Sequence, residues 1–160
     1  MIFNIKTMNS KIKKTVMAGI IGTAIMTLVM MIAPMMGLPK MSPPKMLSGM
    51  LGAAPIAGWL MHFMVGILFA FAYTYSFSCV FKKVIKNVWL KGALFGVIAF
   101  VFAQIMMKFM GRMMPMPKME GSMMLAAFGS LMGHIIFGMA VAKTVGETCC
   151  ENNTCESKKE

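Results

Sequence analysis

IAGWLMHFMVGILFAFAYTYSFSCVF, from Ile56 to Phe81, decides the fold. It holds no Asp, Glu, Lys or Arg, and the uncharged run reaches back to Met46. A helix on the surface of a soluble domain keeps a polar face for water, and this stretch offers none. About 20 such residues in a helix cross the ~30 Å hydrocarbon core of a bilayer. Three further segments of the same kind lie on either side. Thr15 to Ala33 is stopped by Pro34, Val88 to Met107 by Lys108 and Gly111, and Met123 to Ala142 by Lys143. No segment alternates as a barrel strand would, and backbone groups in lipid are satisfied within helices. The expected fold class is all-α: a polytopic four-helix membrane bundle, one membrane domain over residues 1–160.

Composition agrees. The chain is 58% hydrophobic and 13% charged, against about 45–50% and about 25% for ordinary soluble domains. That excludes a disordered chain, a secreted disulfide scaffold and a soluble enzyme. Sixteen Lys and Arg face five acids, for a net charge of +11. The cations flank apolar spans and form no basic face with interleaved aromatics, so they imply a lipid bilayer and no nucleic acid.

Their distribution orients the chain. Lys6, Lys11, Lys13, Lys14, Lys82, Lys83, Lys86, Lys91, Lys143, Lys158 and Lys159 fall on one side of the spans, and only Lys40, Lys45, Lys108, Arg112 and Lys118 on the other. The positive-inside rule then places both termini in the cytoplasm. The segment 1–14 and the tail 143–160 are cytoplasmic. The first span is too long for the apolar core of a signal peptide, and no A-x-A site follows it.

The chain also repeats itself. MMGLPKM (Met35–Met41) and MMPMPKM (Met113–Met119) follow spans one and three, 78 residues apart. Spans two and four match at an offset of 72, where Gly58, His62, Gly66 and Ala70 fall on Ser130, His134, Gly138 and Ala142. The bundle is expected to consist of two parallel two-helix repeats, about 15–81 and 88–142, related by a pseudo-two-fold axis along the membrane normal. Gly92 with Gly96, Gly129 with Gly133 and Ala18 with Gly22 mark faces where backbones approach closely.

The two His are the chemically distinctive residues. Each has a small residue four before it and four after it, on one helical stripe. Ionisable groups at this depth are costly and are functional candidates. Three readings compete: a hydrogen bond that fixes packing, a route for an ion or proton, or axial ligation of a b-type haem. In the haem reading Gly58, Gly66, Ser130 and Gly138 open the groove beside His62 and His134. The pair is expected to face the interior, each towards the other.

Twenty-four Met are present, crowded around the two outer loops. Thioethers are soft ligands suited to Cu(I), and Met35, Met36, Met41, Met113, Met114, Met116 and Met119 are the candidates. A flexible apolar cap on the bundle is the plainer account of them. The tail adds Cys149, Cys150 and Cys155, reduced in a cytoplasm and able to bind soft metal. Cys79 reads as a small buried hydrophobe. Donors thus change from Met through His to Cys across the membrane, a gradient that would carry copper inward.

Glu120 is the only acid outside the tail, and no nucleotide-binding or nucleophile motif occurs, so an enzyme is not expected. A homo-oligomer or another membrane protein is the partner class left open. GTAIMT (Gly22–Thr27), GLPKM (Gly37–Met41), GWLMHFMVG (Gly58–Gly66) and SLMGHIIFG (Ser130–Gly138) together resemble small bacterial four-span membrane proteins that have no established activity. The resemblance covers the whole chain and implies the fold and a location in a bacterial inner membrane.

Overall fold

The computed structural model describes residues 5–40, 42–81, 84–113 and 122–146. All regular structure among them is helical. The long helices are α1 (Ile5–Ile32), α3 (Pro55–Ala72), α4 (Val88–Met113) and α5 (Met123–Val145), and the short α2 (Pro43–Leu51) lies between α1 and α3. A 3-10 turn, Ala33–Met36, extends α1. A π turn, Tyr73–Phe77, and a final α turn, Ser78–Val80, carry α3 onward. Four stretches are long and apolar enough to cross a membrane: Ser10–Met36, Pro55–Val80, Val88–Met113 and Met123–Val145. Their outward faces are apolar, with Leu28, Leu60, Ile105 and Phe128 all exposed. The chain is a membrane four-helix bundle.

Local chemistry sets the boundaries. Pro34 fits the first turn of the 3-10 segment, where its missing N–H costs nothing. Gly37, at φ 83°, then ends that segment by turning its N–H onto the carbonyls of Ala33 and Pro34. Pro43 and Pro44 begin α2 behind Ser42, and Gly52 closes it at φ 59°. Helix α2 is not expected from a 19-residue hydropathy window, which smears nine residues into a loop.

α1 and α5 are the central helices. α3 packs on α1, α4 packs on α5, and α2 packs on the start of α3. The end carrying the N-terminus of α1, the C-terminus of α5 and the α3–α4 connection is called here the terminal end, and the other the loop end.

The two hairpins share one packing register. A Cβ on Gly19 would meet the Ile67 Cα at 2.6 Å, and one on Gly92 would meet the Met139 Cα at 2.7 Å. Position 67 in α3 therefore answers to 139 in α5, an offset of 72, and 19 in α1 answers to 92 in α4, an offset of 73. The loop motifs stand 78 apart, so the extra residues of the second hairpin lie within α4, beyond its packed part.

An aromatic stripe joins α3 to α4. Phe69, Tyr73 and Phe77 stand 6.4, 5.1 and 5.3 Å from Phe95, ring centre to ring centre. The π turn belongs to this stripe. Within it the Thr74 hydroxyl donates to the Ala70 carbonyl at 2.8 Å and accepts from the Thr15 hydroxyl at 3.3 Å. Cys79, beyond that turn, is half-buried. It is the one cysteine among the described residues.

Candidate functional site

The stripe read from the sequence is real on both helices. Gly58, His62, Gly66 and Ala70 are the buried residues of α3. Ser130, Gly138 and Ala142 are buried on α5, with His134 partly buried. His62 and Gly66 face α1, Gly58 faces α2, and Gly138 faces α4.

His62 meets α1. Its Nε2 lies 3.1 Å from the Thr27 hydroxyl. That hydroxyl has one proton and donates it to the Thr23 carbonyl at 2.7 Å. Thr27 therefore accepts, His62 Nε2–H donates, and the Nδ1 lone pair is left over. His134 takes the other tautomer. Its Nδ1 is 2.8 Å from the Ser130 carbonyl, which can only accept, so Nδ1 carries the proton and Nε2 the lone pair. The ring stands edge-on to Phe100 of α4, 5.8 Å between centres. The hydrogen bonds and ring contacts of each imidazole thus lie within its own hairpin.

The residues expected to open a haem groove are filled. A Cβ on Gly58 would strike the Pro44 carbonyl oxygen of α2, and one on Gly66 the Thr23 hydroxyl. One on Gly138 would strike the Gly92 carbonyl oxygen and come within 2.7 Å of the Gly96 nitrogen. With Ser130 buried as well, these positions leave no slot for a macrocycle. The b-type haem reading does not fit.

The described methionines include an exposed set and a buried set. Met35, Met36 and Met113 are 87%, 80% and 72% exposed at the loop end. Met41, Met114, Met116, Met119, Cys149, Cys150 and Cys155 lie outside the described residues. The buried thioethers are Met26, Met30 and Met50, which the sequence reading passed over. Met30 Cε and Met26 Cγ lie 2.9 and 3.5 Å from the point where a Cβ on Gly133 would sit, beside His134 in the chain. Met26, Thr27 and Met30 are consecutive on the buried side of α1. This stretch therefore gathers two thioethers, the hydroxyl that holds His62, and the backbone next to His134. Periodicity could have found it: Thr23, Met26, Thr27 and Met30 follow helical spacing. Their signal was diluted by the many other Met. No cluster of three or more His, Cys, Asp or Glu suited to a metal occurs among the described residues.

Lys91 was counted from the sequence only as a topology charge. It is 4% exposed, and no Asp or Glu occurs among the described residues. It sits one turn from Phe95 on the same face of α4. At 1.5 Å per residue it is about 14 Å nearer the terminal end than Phe100, the partner of His134.

Comparison with curated proteins and with solved structures gave no match. A family model does match, over residues 9–154, which include all four spans and both His. The chain belongs to that family, DUF6789, a family of unknown function.

Proposed function

We propose that this is a non-enzymatic protein of the bacterial inner membrane, with both termini cytoplasmic, that binds a soft monovalent cation, Cu(I), inside the bundle. One observation carries the reading. Two imidazoles, each with one nitrogen engaged and one lone pair left, share the interior with two buried thioethers. Neutral imidazole and thioether suit Cu(I) and need no carboxylate. The donors would be His62, His134, Met26 and Met30, with the exposed Met35, Met36 and Met113 collecting metal at the loop end.

Lys91 argues for binding rather than passage. A buried ammonium between the centre and the terminal end repels a cation moving that way. Metal would then enter and leave at the loop end, and the inward gradient towards the tail thiols drops out of the proposal.

The test is a Cu(I) titration of the purified protein against a coloured chelator. One equivalent bound by the wild type is expected. Replacing both His by Ala, or Met26 and Met30 by Leu, should weaken binding by at least about tenfold, or about 1.4 kcal/mol. Leu at Met35, Met36 and Met113 should slow loading and leave the affinity. A wild type that binds no Cu(I) overturns the proposal. It would leave the structural reading, which the Thr27–His62 bond between α1 and α3 favours: His62 then holds two helices together.

A further inference from the structure

A second site lies on the outside of the bundle. α5 forms the floor of a groove, with Ile136, Met139 and Ala140 along it, Ile25 of α1 on one wall and Trp89 of α4 on the other. Its volume is about 270 Å³. Lys143 closes the groove at the terminal end, its Nζ 4.9 Å from the centre of the Trp89 indole. Lys143 lies two residues from the end of α5, and Trp89 is the second residue of α4. Trp at this level marks the boundary between hydrocarbon and headgroups.

The groove is therefore apolar along its length and cationic at its headgroup end. Among the described residues no carboxylate answers that charge, and the headgroup layer at this level of the membrane supplies anions. A helix of a second copy, about 10 Å across with its side chains, is too thick to enter this groove, and the described helices carry no carboxylate. We infer that the groove holds one phospholipid with a net negative headgroup, an acyl chain along Ile136 and Ala140 and the phosphate on Lys143. The Thr144 hydroxyl donates to the Ala140 carbonyl at 2.8 Å, which leaves the headgroup contact to Lys143. Trp89 holds the lysine in place through its ring face.

The experiment uses the full chain in nanodiscs of equal phosphatidylglycerol and phosphatidylcholine, with retained lipid counted by native mass spectrometry after release into detergent. The wild type should keep one phosphatidylglycerol, enriched at least about fivefold over phosphatidylcholine. Millimolar inorganic phosphate should not displace it, because the chain supplies the apolar part of the binding. Lys143→Gln should abolish the enrichment and Lys143→Arg retain it. Ile136→Trp, which fills the groove and keeps the lysine, should lose the lipid altogether, and Lys108→Gln, at the other end, should change nothing. Equal retention of the two lipids by the wild type overturns the inference. So does enrichment that survives both Lys143→Gln and Ile136→Trp, or a dimer mass with no lipid bound.

Discussion

The two hairpins are built on one register and have exchanged large and small residues across the middle of the bundle. With the offsets of 73 for α1 and α4 and 72 for α3 and α5, Gly22 answers to Phe95. Gly22 lets α1 close on Phe137 and Val141 of α5; a Cβ there would stand 2.9 Å from Val141 and 3.0 Å from Phe137. Phe95 holds α4 away from α3 by the width of a ring and fills the gap with Phe69, Tyr73 and Phe77. α1 meets α5 with Gly22 against the side chains of Phe137 and Val141, whereas α4 meets α3 through aromatic rings. The same exchange runs deeper. Met26 answers to Ala99, Thr27 to Phe100 and Ala18 to Lys91. What stays constant is the inner face of each hairpin: Gly19 and Gly92, Gly66 and Gly138, Ala70 and Ala142. Contact within a hairpin is retained, while the contacts between hairpins, and the chemistry with them, have diverged.

The largest effect should come from the constant face. Gly138→Val forces two backbones apart and should destabilise the bundle by about 3 kcal/mol, the upper range for overpacking, in unfolding from mixed micelles followed by circular dichroism. A loss below ~1 kcal/mol would mean that α4 and α5 can separate without cost, and the shared register would lose its meaning.

Lys91 comes next. Its counterpart Ala18 is buried and apolar, no carboxylate occurs among the described residues, and a buried ammonium is costly. Lys91→Met should stabilise the protein by about 1–2 kcal/mol in the same assay. A loss of stability instead would show that the second hairpin depends on that charge.

Thr27→Val removes the acceptor of the His62 proton and should cost about 0.6–1 kcal/mol, in the range of interhelical hydrogen bonds in membranes. Phe100→Leu, at the equivalent position, should leave the His134 tautomer unchanged, since its proton is held by the Ser130 carbonyl. Nitrogen NMR of the two rings reads both outcomes, and identical tautomers in the wild type would break the contrast between the hairpins.

The smallest effect belongs to Gly133. Its neighbours are the flexible ends of Met30 and Met26, which can shift, so Gly133→Ala should cost less than ~0.5 kcal/mol.

How much of this the sequence carried depends on the length of the pattern. The spans were legible because hydropathy over about 19 residues averages out local noise. The His stripes were legible because glycine and histidine are rare enough for their spacing to count. α2 was lost because nine residues between two proline-rich turns fall below that window. The π turn at Tyr73–Phe77 was lost because the sequence continues in ordinary helix-forming fashion through it. The motif offset of 78 pointed to matched loops and could not reveal that packing runs at 73, because register is set by which glycine meets which backbone. Met26 and Met30 were hidden by composition: when one residue type is common, its burial cannot be read from its presence. Lys91 was hidden by a rule that counts charges near span ends and does not ask which way they point.

The exchange of Gly22 for Phe95 bears on how such a chain could have arisen. A single hairpin pairing with its twin would present the same residue at both crossings, either two glycines or two phenylalanines. Two glycines would leave the aromatic crossing hollow, and two phenylalanines would prise the central helices apart. Within one chain the two hairpins need not match at the crossing, and here Gly22 stands in one and Phe95 in the other. Separated halves are therefore expected to pair with each other and not each with a copy of itself.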